Sequence, residues 1–168
     1  MTGLADATGP QVSRILVATD FSSQARNALD WARVLAKQFG AKLVLLHVVD
    51  IFGLAEMGCG MEGGMDPLPI LREQCQQRMA EMKALLPEAE IVVHEASPRP
   101  AIVEAARKLN CQLIVMGTHG RSGLERLLVG SVTERVMRAA PCSVMAVKLP
   151  RGLPATEKPE VALAGSPA

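Results

Sequence analysis

Residues 15–49 read ILVATDFSSQARNALDWARVLAKQFGAKLVLLHVV and decide the fold of the chain. The first five residues are aliphatic or β-branched, which is typical of a strand. From Ser22 to Phe39 small and apolar residues recur at the spacing of one helix face, after serines that can cap a helix and before Gly40, which can end one. Lys42–Val49 is a second apolar run. The order predicts a βαβ unit with parallel strands.

Three further apolar runs predict the remaining strands, over Ile91–Ala96, Gln112–Gly117 and Ser143–Lys148. Such continuous runs are typical of strands that are buried on both faces of a parallel sheet covered by helices. Helices are predicted between them, over Pro69–Leu86, Pro100–Leu109 and Val132–Ala139. The alternation predicts an α/β fold, a five-stranded parallel sheet sandwiched by helices, Rossmann-like and with right-handed crossovers.

One domain is predicted over residues 12–149. Residues 1–11 are small and polar, and residues 150–168 carry prolines without apolar periodicity, so we expect two flexible tails. Residues 50–66 contain repeated glycines and predict a long mobile loop that acts as a lid or a partner surface.

The composition excludes several classes of protein. A chain of 168 residues, 49% hydrophobic and 21% charged, sustains a core without disulfides or metals. A net charge of +1, three Phe, one Trp and no Tyr provide neither a basic surface nor an aromatic platform for nucleic acid. We expect no secretory signal, no membrane span and a cytoplasmic location. The four cysteines lack metal-binding spacing and are expected to be reduced thiols: Cys59, Cys75, Cys111 and Cys142.

The candidate site lies at the carboxyl ends of the strands, where open parallel sheets bind ligands. Three strand ends qualify, at Thr19–Asp20, Val48–Asp50 and Met116–Gly117. From residue 117 the chain reads GTHGRSGLERLLVGSVTE, with the spacing G-x2-G-x9-G-S, between a buried strand and a helix. Glycines with positive φ let the backbone approach an anion, and a helix N-terminus favours phosphate. The stretch therefore predicts a phosphate site.

The same residues also fit readings without a ligand. Ser131 and Glu134 match the S-x-x-E capping box of many helices, and the glycines are compatible with a plain turn. Asp20 is equally suited to cap the first helix beside Ser22. His119 and Arg121 are either phosphate contacts or solvated loop residues. Spacing alone leaves these alternatives open.

Three stretches together resemble the universal stress protein family: ILVATDFS, LLHVVD and IVMGTHGRSG…LLVGSVTERVMRAAPCSVMAVK. The resemblance runs from about Arg14 to Lys148 and implies the ATP-binding branch, whose glycine spacing is intact. It implies ATP, with Mg²⁺, as the cofactor. The residues it assigns to the phosphates are Gly117, Gly120, Gly130 and Ser131. Those it assigns to adenosine are Thr19, Asp20 and the Val48 backbone, with Met116 near the ribose.

One stretch departs from the family pattern. Where the family often carries Gly-x-Pro, this chain has Ala96-Ser97-Pro98. Because alanine adopts a positive φ only at a cost, we expect this loop to sit differently near the nucleotide.

The function implied by the resemblance is a regulatory nucleotide-binding protein of the stress response. Its last strand, Ser143–Lys148, is predicted to lie at a sheet edge and to form a homodimer, and Val147→Pro is expected to break that contact. A slow ATP hydrolase or ATP-using transferase is the second hypothesis, with His119 and Asp20 as its acid-base candidates. The chain lacks a P-loop lysine, however, so enzyme activity is left undecided. A nucleotide-free interaction module is the third hypothesis.

Overall fold

The computed structural model describes residues 11–56, 67–118 and 129–149. The predicted tails, apart from residue 11, lie outside these ranges. The elements are β1 (Arg14–Thr19), α1 (Ser23–Phe39), β2 (Lys42–Val49), α2 (Ile51–Glu56), α3 (Leu68–Leu85), β3 (Glu90–Glu95), α4 (Pro98–Lys108), β4 (Leu113–Gly117), α5 (Ser131–Ala139) and β5 (Ser143–Val147).

The five strands form one parallel sheet in the order β3-β2-β1-β4-β5. This confirms the predicted α/β fold. Leu16 of β1 lies between Val44 of β2 and Ile114 of β4. The chain thus builds outward from β1 to β3 and then returns to the other side of β1. The strand order reverses between β1 and β4, which is where such sheets bind ligands.

The three central strands separate two apolar layers, because successive side chains of a strand point to opposite faces. On one face Ile15 and Val17 pack against small residues of α1, including Ala28. On the other, Leu16 packs with Ile102 of α4 and Val136 of α5. Helices therefore cover both faces of the sheet and hold the central strands rigidly.

The expectation that every strand is buried on both faces is wrong for β3 and β5. These are the two edge strands, and most of their residues are only partly buried. Val93 of β3 is 43% exposed. An apolar run reports the β-propensity of a strand but not its place in the sheet, which depends on long-range pairing.

The α1 helix begins and ends where its sequence predicts. Ser22 is the N-cap, and its hydroxyl oxygen accepts a hydrogen bond from the Ala25 N–H at 3.2 Å. Gly40 ends the helix with φ +64° and donates its N–H to the Ala36 carbonyl. A left-handed residue at this position favours glycine. Between the cap and the stop, the face of α1 that packs on the sheet carries the buried residues Ala25, Ala28, Leu29 and Ala32.

The predicted loop over residues 50–66 is wrong at its beginning, where residues 51–56 form the short helix α2. The carboxylate of Asp50 accepts a hydrogen bond from the Gly53 N–H at 3.0 Å and so satisfies one donor of the first turn. Residues 57–66 lie outside the described ranges. In the parts of the chain that are described, no helix combines the length and the apolar character that a membrane span requires.

Candidate functional site

A cavity of about 470 Å³ lies at the carboxyl edge of the sheet, beside the point where the strand order reverses. Its walls come from the ends of β1, β2 and β4 and from the first turns of α4 and α5. The volume falls in the range of small-molecule sites. The sequence-predicted site residues that line it are Thr19, Asp20, Val48, Met116, Gly117, Gly130 and Ser131. Gly120, like His119 and Arg121, lies outside the described residues.

The end of β1 is held by a hydrogen-bonded turn. The Thr19 hydroxyl oxygen accepts from the Phe21 N–H at 3.0 Å. The Asp20 carboxylate accepts from both the N–H and the hydroxyl of Ser22, at 3.0 and 2.6 Å. Asp20 therefore does not cap α1 itself, since Ser22 does so, and its carboxylate is fixed by that cap at the wall of the cavity.

Two aromatic rings, those of Phe21 and His47, pack together beside this turn, and sequence analysis did not identify either. Phe21 has φ +64°, a left-handed conformation that is costly for a bulky residue and often marks functional sites. Its ring packs against the His47 ring with centroids 4.4 Å apart. The Arg78 guanidinium lies over the Phe21 ring, 5.3 Å from its centroid, which is a cation–π distance. These two contacts stabilise Phe21 in its left-handed conformation.

His47 also bonds to the first strand. Its Nδ1 lies 2.7 Å from the carbonyl oxygen of Thr19, and because a carbonyl can only accept, Nδ1 carries the proton. His47 is 9% exposed and lines the cavity. This bond joins the ends of β1 and β2 just below the ligand space.

The backbone of Val48 faces the ligand space. The neighbouring Val49 carbonyl accepts from the Ala96 N–H at 3.1 Å, on the β3 side. Peptide groups alternate sides along a strand, so the carbonyl of Val48 is directed to the β1 side. There the pairing of β1 ends at Thr19, opposite His47. The Val48 carbonyl therefore borders the crevice beyond the end of β1.

The first turn of α4 forms part of the cavity wall. Pro98, the first residue of α4, and Ile102 one turn later give this wall an apolar surface. Ala96 is not among the described residues with positive φ, so the family's glycine is not needed here for backbone reasons. Alanine is accommodated here without backbone strain, and the different placement of this loop near the nucleotide stays a prediction.

Gly117 has a packing role as well as a place in the cavity lining. Neither Gly117 nor Gly130 has a positive φ, and Gly130 is extended with φ −69°, so the expectation of left-handed glycines is wrong at both positions. A Cβ at Gly117 would lie 2.9 Å from the Cβ and 3.1 Å from the carbonyl carbon of Gln24. Gly117 is thus required because the start of α1 passes directly over the end of β4.

The start of α5 does not form the capping box. Gly130, not Ser131, is the N-cap, and within the described ranges no side chain caps the helix. The first bonded amide is that of Glu134, whose N–H donates to the Gly130 carbonyl at 2.9 Å. Helix geometry leaves the N–H groups of residues 131–133 without intrahelical acceptors. All three residues line the cavity.

Two hydrogen bonds attach this helix start to the end of β4. The Gly130 N–H donates to the Thr118 carbonyl at 2.6 Å, and the Thr133 hydroxyl donates to the Gly117 carbonyl at 2.9 Å. Thr133 is buried and was missed by sequence analysis, because a threonine inside a helical pattern gives no signal of a tertiary contact. The bonds aim the N-terminus of α5 at the cavity.

Comparison with known proteins identifies the family. The model of the universal stress protein family matches residues 11–148. The chain belongs to the universal stress protein family. It is 37% identical to universal stress protein MJ0531 of Methanocaldococcus jannaschii over 143 residues, which cover 82% of this chain and 83% of that protein. It is 29% identical to universal stress protein MJ0577 of the same organism, over 80% of this chain and 94% of the relative.

Solved structures of universal stress proteins share the fold. The structure of MJ0577 superposes with a TM-score of 0.73 at 28% identity, over 84% of this chain and 99% of that one. Universal stress protein UspA from Lactobacillus plantarum gives a TM-score of 0.66 at 25% identity, over 83% and 99% of the two chains. The described domain thus corresponds to nearly the whole of each relative.

Proposed function

We propose that this universal stress protein binds ATP in the cavity at the switch point and acts as a regulatory module in the stress response. The observation that carries the proposal is that the N-terminus of α5 lines the cavity. There residues 131–133, whose N–H groups have no acceptor within the helix, line the space, at the last glycine of the G-x2-G-x9-G-S spacing. A helix N-terminus with free donors is suited to phosphate.

The apolar part of the cavity suits the adenosine. Its lining includes the apolar side chains of Ala18, Ile102 and Met116, against which a purine can pack. The carbonyl of Val48 borders the crevice and can accept from the exocyclic amine of adenine. Thr19 and Asp20 lie beside it, at the end of β1. The lining therefore offers apolar side chains for the purine and polar groups for the rest of the nucleotide.

The charge of the lining supports binding of a metal complex. Among the described lining residues, Asp20 and Asp50 are carboxylates, and none is Lys or Arg. The phosphates of a nucleotide would meet like charge in this cavity, which a bound divalent cation offsets. We therefore infer that ATP binds with Mg²⁺ and that affinity falls when Mg²⁺ is chelated.

We propose binding rather than rapid turnover. The chain has no P-loop lysine. Of the acid-base candidates, Asp20 accepts two hydrogen bonds from Ser22, and His119 lies outside the described residues. Slow hydrolysis is compatible with this arrangement, and turnover of several ATP per second would contradict the proposal. The cytoplasmic location stays a prediction of the sequence.

We also propose a homodimer through the outer edge of β5. The Asn27 side chain of α1 donates to the Lys148 carbonyl at 3.0 Å, which places α1 beside the end of β5. One turn further along that helix, Trp31 is 48% exposed, and Val34 is 63% exposed. An unpaired edge flanked by apolar side chains is a surface that a second copy can cover.

Calorimetric titration with MgATP tests the nucleotide site. Ser131→Ala removes a hydroxyl that can bond to a charged phosphate, so we expect affinity to fall roughly 10- to 150-fold, from about 1.5 to 3 kcal/mol. Gly130→Val should abolish binding, because the valine side chain would occupy the space that the phosphates need. The domain should still melt cooperatively, because the φ of −69° at this position is open to valine. Ser97→Ala is a matched control, since Ser97, like Ser131, lies at the start of a helix and makes no side-chain cap bond, but it does not line the cavity. Wild-type affinity in both site variants would refute the phosphate site.

A further inference from the structure

Two cysteines lie together at the end of the sheet opposite the cavity. Cys111 immediately precedes the extended chain leading into β4, and Cys142 immediately precedes β5. Both belong to the apolar cluster between the sheet and helices α4 and α5. Cys111 is 5% exposed, and Cys142, which packs against that cluster, is half-buried. The two thiols therefore share one pocket of the core, and one of them is accessible from outside.

The strand register places the two cysteines at neighbouring positions where β4 and β5 begin. Leu113 pairs with Ser143, so one step back Cys142 lies opposite Gln112, the residue that follows Cys111. The Cys111 N–H donates to the Ala106 carbonyl at 2.9 Å, so Cys111 belongs to the turn that ends α4 and not to the strand ladder. Its side chain therefore joins the same cluster as Cys142, on the α4 and α5 face of the sheet. A disulfide needs a Cα separation of about 4.4 to 6.8 Å and Cβ atoms that face each other, which the common face of the two residues allows.

We propose that Cys111 and Cys142 are an oxidative modification site, which hydrogen peroxide converts to an intramolecular disulfide. The Cys142 thiolate attacks one peroxide oxygen, the O–O bond breaks, hydroxide leaves, and a sulfenic acid remains on Cys142. The Cys111 thiolate then attacks the Cys142 sulfur, the S–O bond breaks, and a second hydroxide leaves. Two thiols and one peroxide give one disulfide and two waters.

The surroundings of the two thiols set the rate of this reaction. Burial, with a smaller contribution from the nearby Cys142, raises the pKa of the Cys111 thiol to about 11. Burial also raises the pKa of the Cys142 thiol above its ordinary value. Little thiolate is present at neutral pH, so the pair responds to sustained oxidant and not to a brief pulse. Faster oxidation at higher pH follows from the same shifts.

The bond would act on the part of the chain that carries the candidate site. It would enclose residues 112–141, which contain β4, the glycine-rich segment and α5. A cross-link of this kind restricts the unfolded chain and stabilises the domain. Any effect on ATP rests on the proposed function, whereas formation of the disulfide does not.

Peptide mapping of the wild-type full-length protein after peroxide treatment and alkylation tests the proposal. The expected result is a Cys111–Cys142 cross-linked peptide, an intact chain lighter by two hydrogen atoms, and a melting temperature that rises and returns after reduction. Cys75 lies in the cluster on the opposite face of the sheet, so Cys75→Ser should still form the bond. Cys142→Ala should leave Cys111 as a free thiol.

Three results would overturn the proposal. One is a disulfide that uses Cys59 or Cys75 in place of either partner. Another is a disulfide between two chains, and the third is sulfinic acid on Cys142 beside an unmodified Cys111. All three are visible in the wild-type map, so the conclusion does not depend on the folding of any variant. Nucleotide binding measured on the reduced protein reports separately on the proposed function.

Discussion

The hydroxyl of Thr133 donates a hydrogen bond to the carbonyl oxygen of Gly117 across 2.9 Å, and both residues are buried. This bond joins the first turn of α5 directly to the end of β4, although many residues of chain separate them. The candidate phosphate donors of α5 are therefore positioned by the sheet as well as by the chain between Gly117 and Gly130.

Thr133→Val should destabilise the domain and weaken nucleotide binding together. Valine has nearly the shape of threonine but leaves the buried Gly117 carbonyl without this donor, at a cost of about 1 to 3 kcal/mol. Denaturant unfolding and calorimetric titration measure the two effects. Thr133→Ser, which keeps the hydroxyl, is the control and should recover most of both losses. If valine changed neither quantity, the bond would have no role in placing the helix.

Gly117→Ala should lower stability through a clash with α1. The added Cβ would meet the backbone and Cβ of Gln24, which cannot move aside as the end of a flexible side chain can. Overpacking of this kind costs about 1 to 3 kcal/mol. Gly130→Ala is the comparison, because Gly130 is already extended and alanine there loses only N-cap preference, about 0.5 to 1 kcal/mol. Equal unfolding midpoints for the two variants would contradict the packing role of Gly117.

Proline at Ala146 should prevent dimerisation without disrupting the sheet. The Val147 carbonyl accepts from the Thr118 N–H at 3.0 Å, so the peptide groups of Val147 face β4 and those of Ala146 face the free edge. The predicted test with Val147→Pro would therefore break an internal ladder bond, whereas Ala146→Pro removes only an outward donor. Sedimentation should show a wild-type dimer and an Ala146→Pro monomer.

The tryptophan of this chain gives a second measurement of the same contact. Trp31 is the one tryptophan in the sequence and lies on the helix beside β5. Its emission should shift to shorter wavelength as the wild-type protein is concentrated, and it should stay constant in Ala146→Pro. A wild-type protein that remains monomeric at micromolar concentration would remove the basis for this prediction.

The Arg72–Glu95 ion pair should make stability depend on pH. Two hydrogen bonds of 2.6 and 2.7 Å join this guanidinium on α3 to the carboxylate at the end of β3. Those bonds, together with the charge of Arg72, hold the pKa of Glu95 below its ordinary 4.5. The contribution is fully present above pH 4.5 and is lost as the pH falls through the lower folded-state pKa.

Urea unfolding of the wild type and Glu95→Gln at several pH values measures this dependence. The difference between their free energies of unfolding should be largest near neutral pH and shrink below pH 4.5. Arg72→Gln should show the same profile. A difference that persists at low pH would assign the effect to packing and not to charge.

The sequence predicts the site better than it predicts the reasons for it. Apolar runs and strand ends are local features of the sequence. They correctly predict that Thr19, Val48 and Met116 lie around one cavity. The Gln24 backbone above Gly117 and the His47 bond to Thr19 depend on how distant elements pack, which no local pattern records.

The errors of the predicted fold have similar causes. The six-residue helix α2 begins at an aspartate cap before a glycine-rich stretch, so composition alone favours a loop. Edge and central strands have similar apolar runs because both need β-propensity, and only the pairing order distinguishes them. The capping box at Ser131 fails because the N-cap lies one residue earlier.

The strand order also determines how the domain assembles. β1, β2 and β3 pair with neighbours in sequence, whereas β4 must find β1 after that whole half of the chain has been laid down. Contacts between distant parts of a chain form slowly, because closing a long loop costs entropy before any contact compensates it. The cavity lies where the two halves of the sheet meet, between the end of β1 and the start of α5, and we expect this contact to form late. A molecule bound there would hold the two halves together after they have met, so we expect it to slow unfolding and to leave the rate of folding almost unchanged.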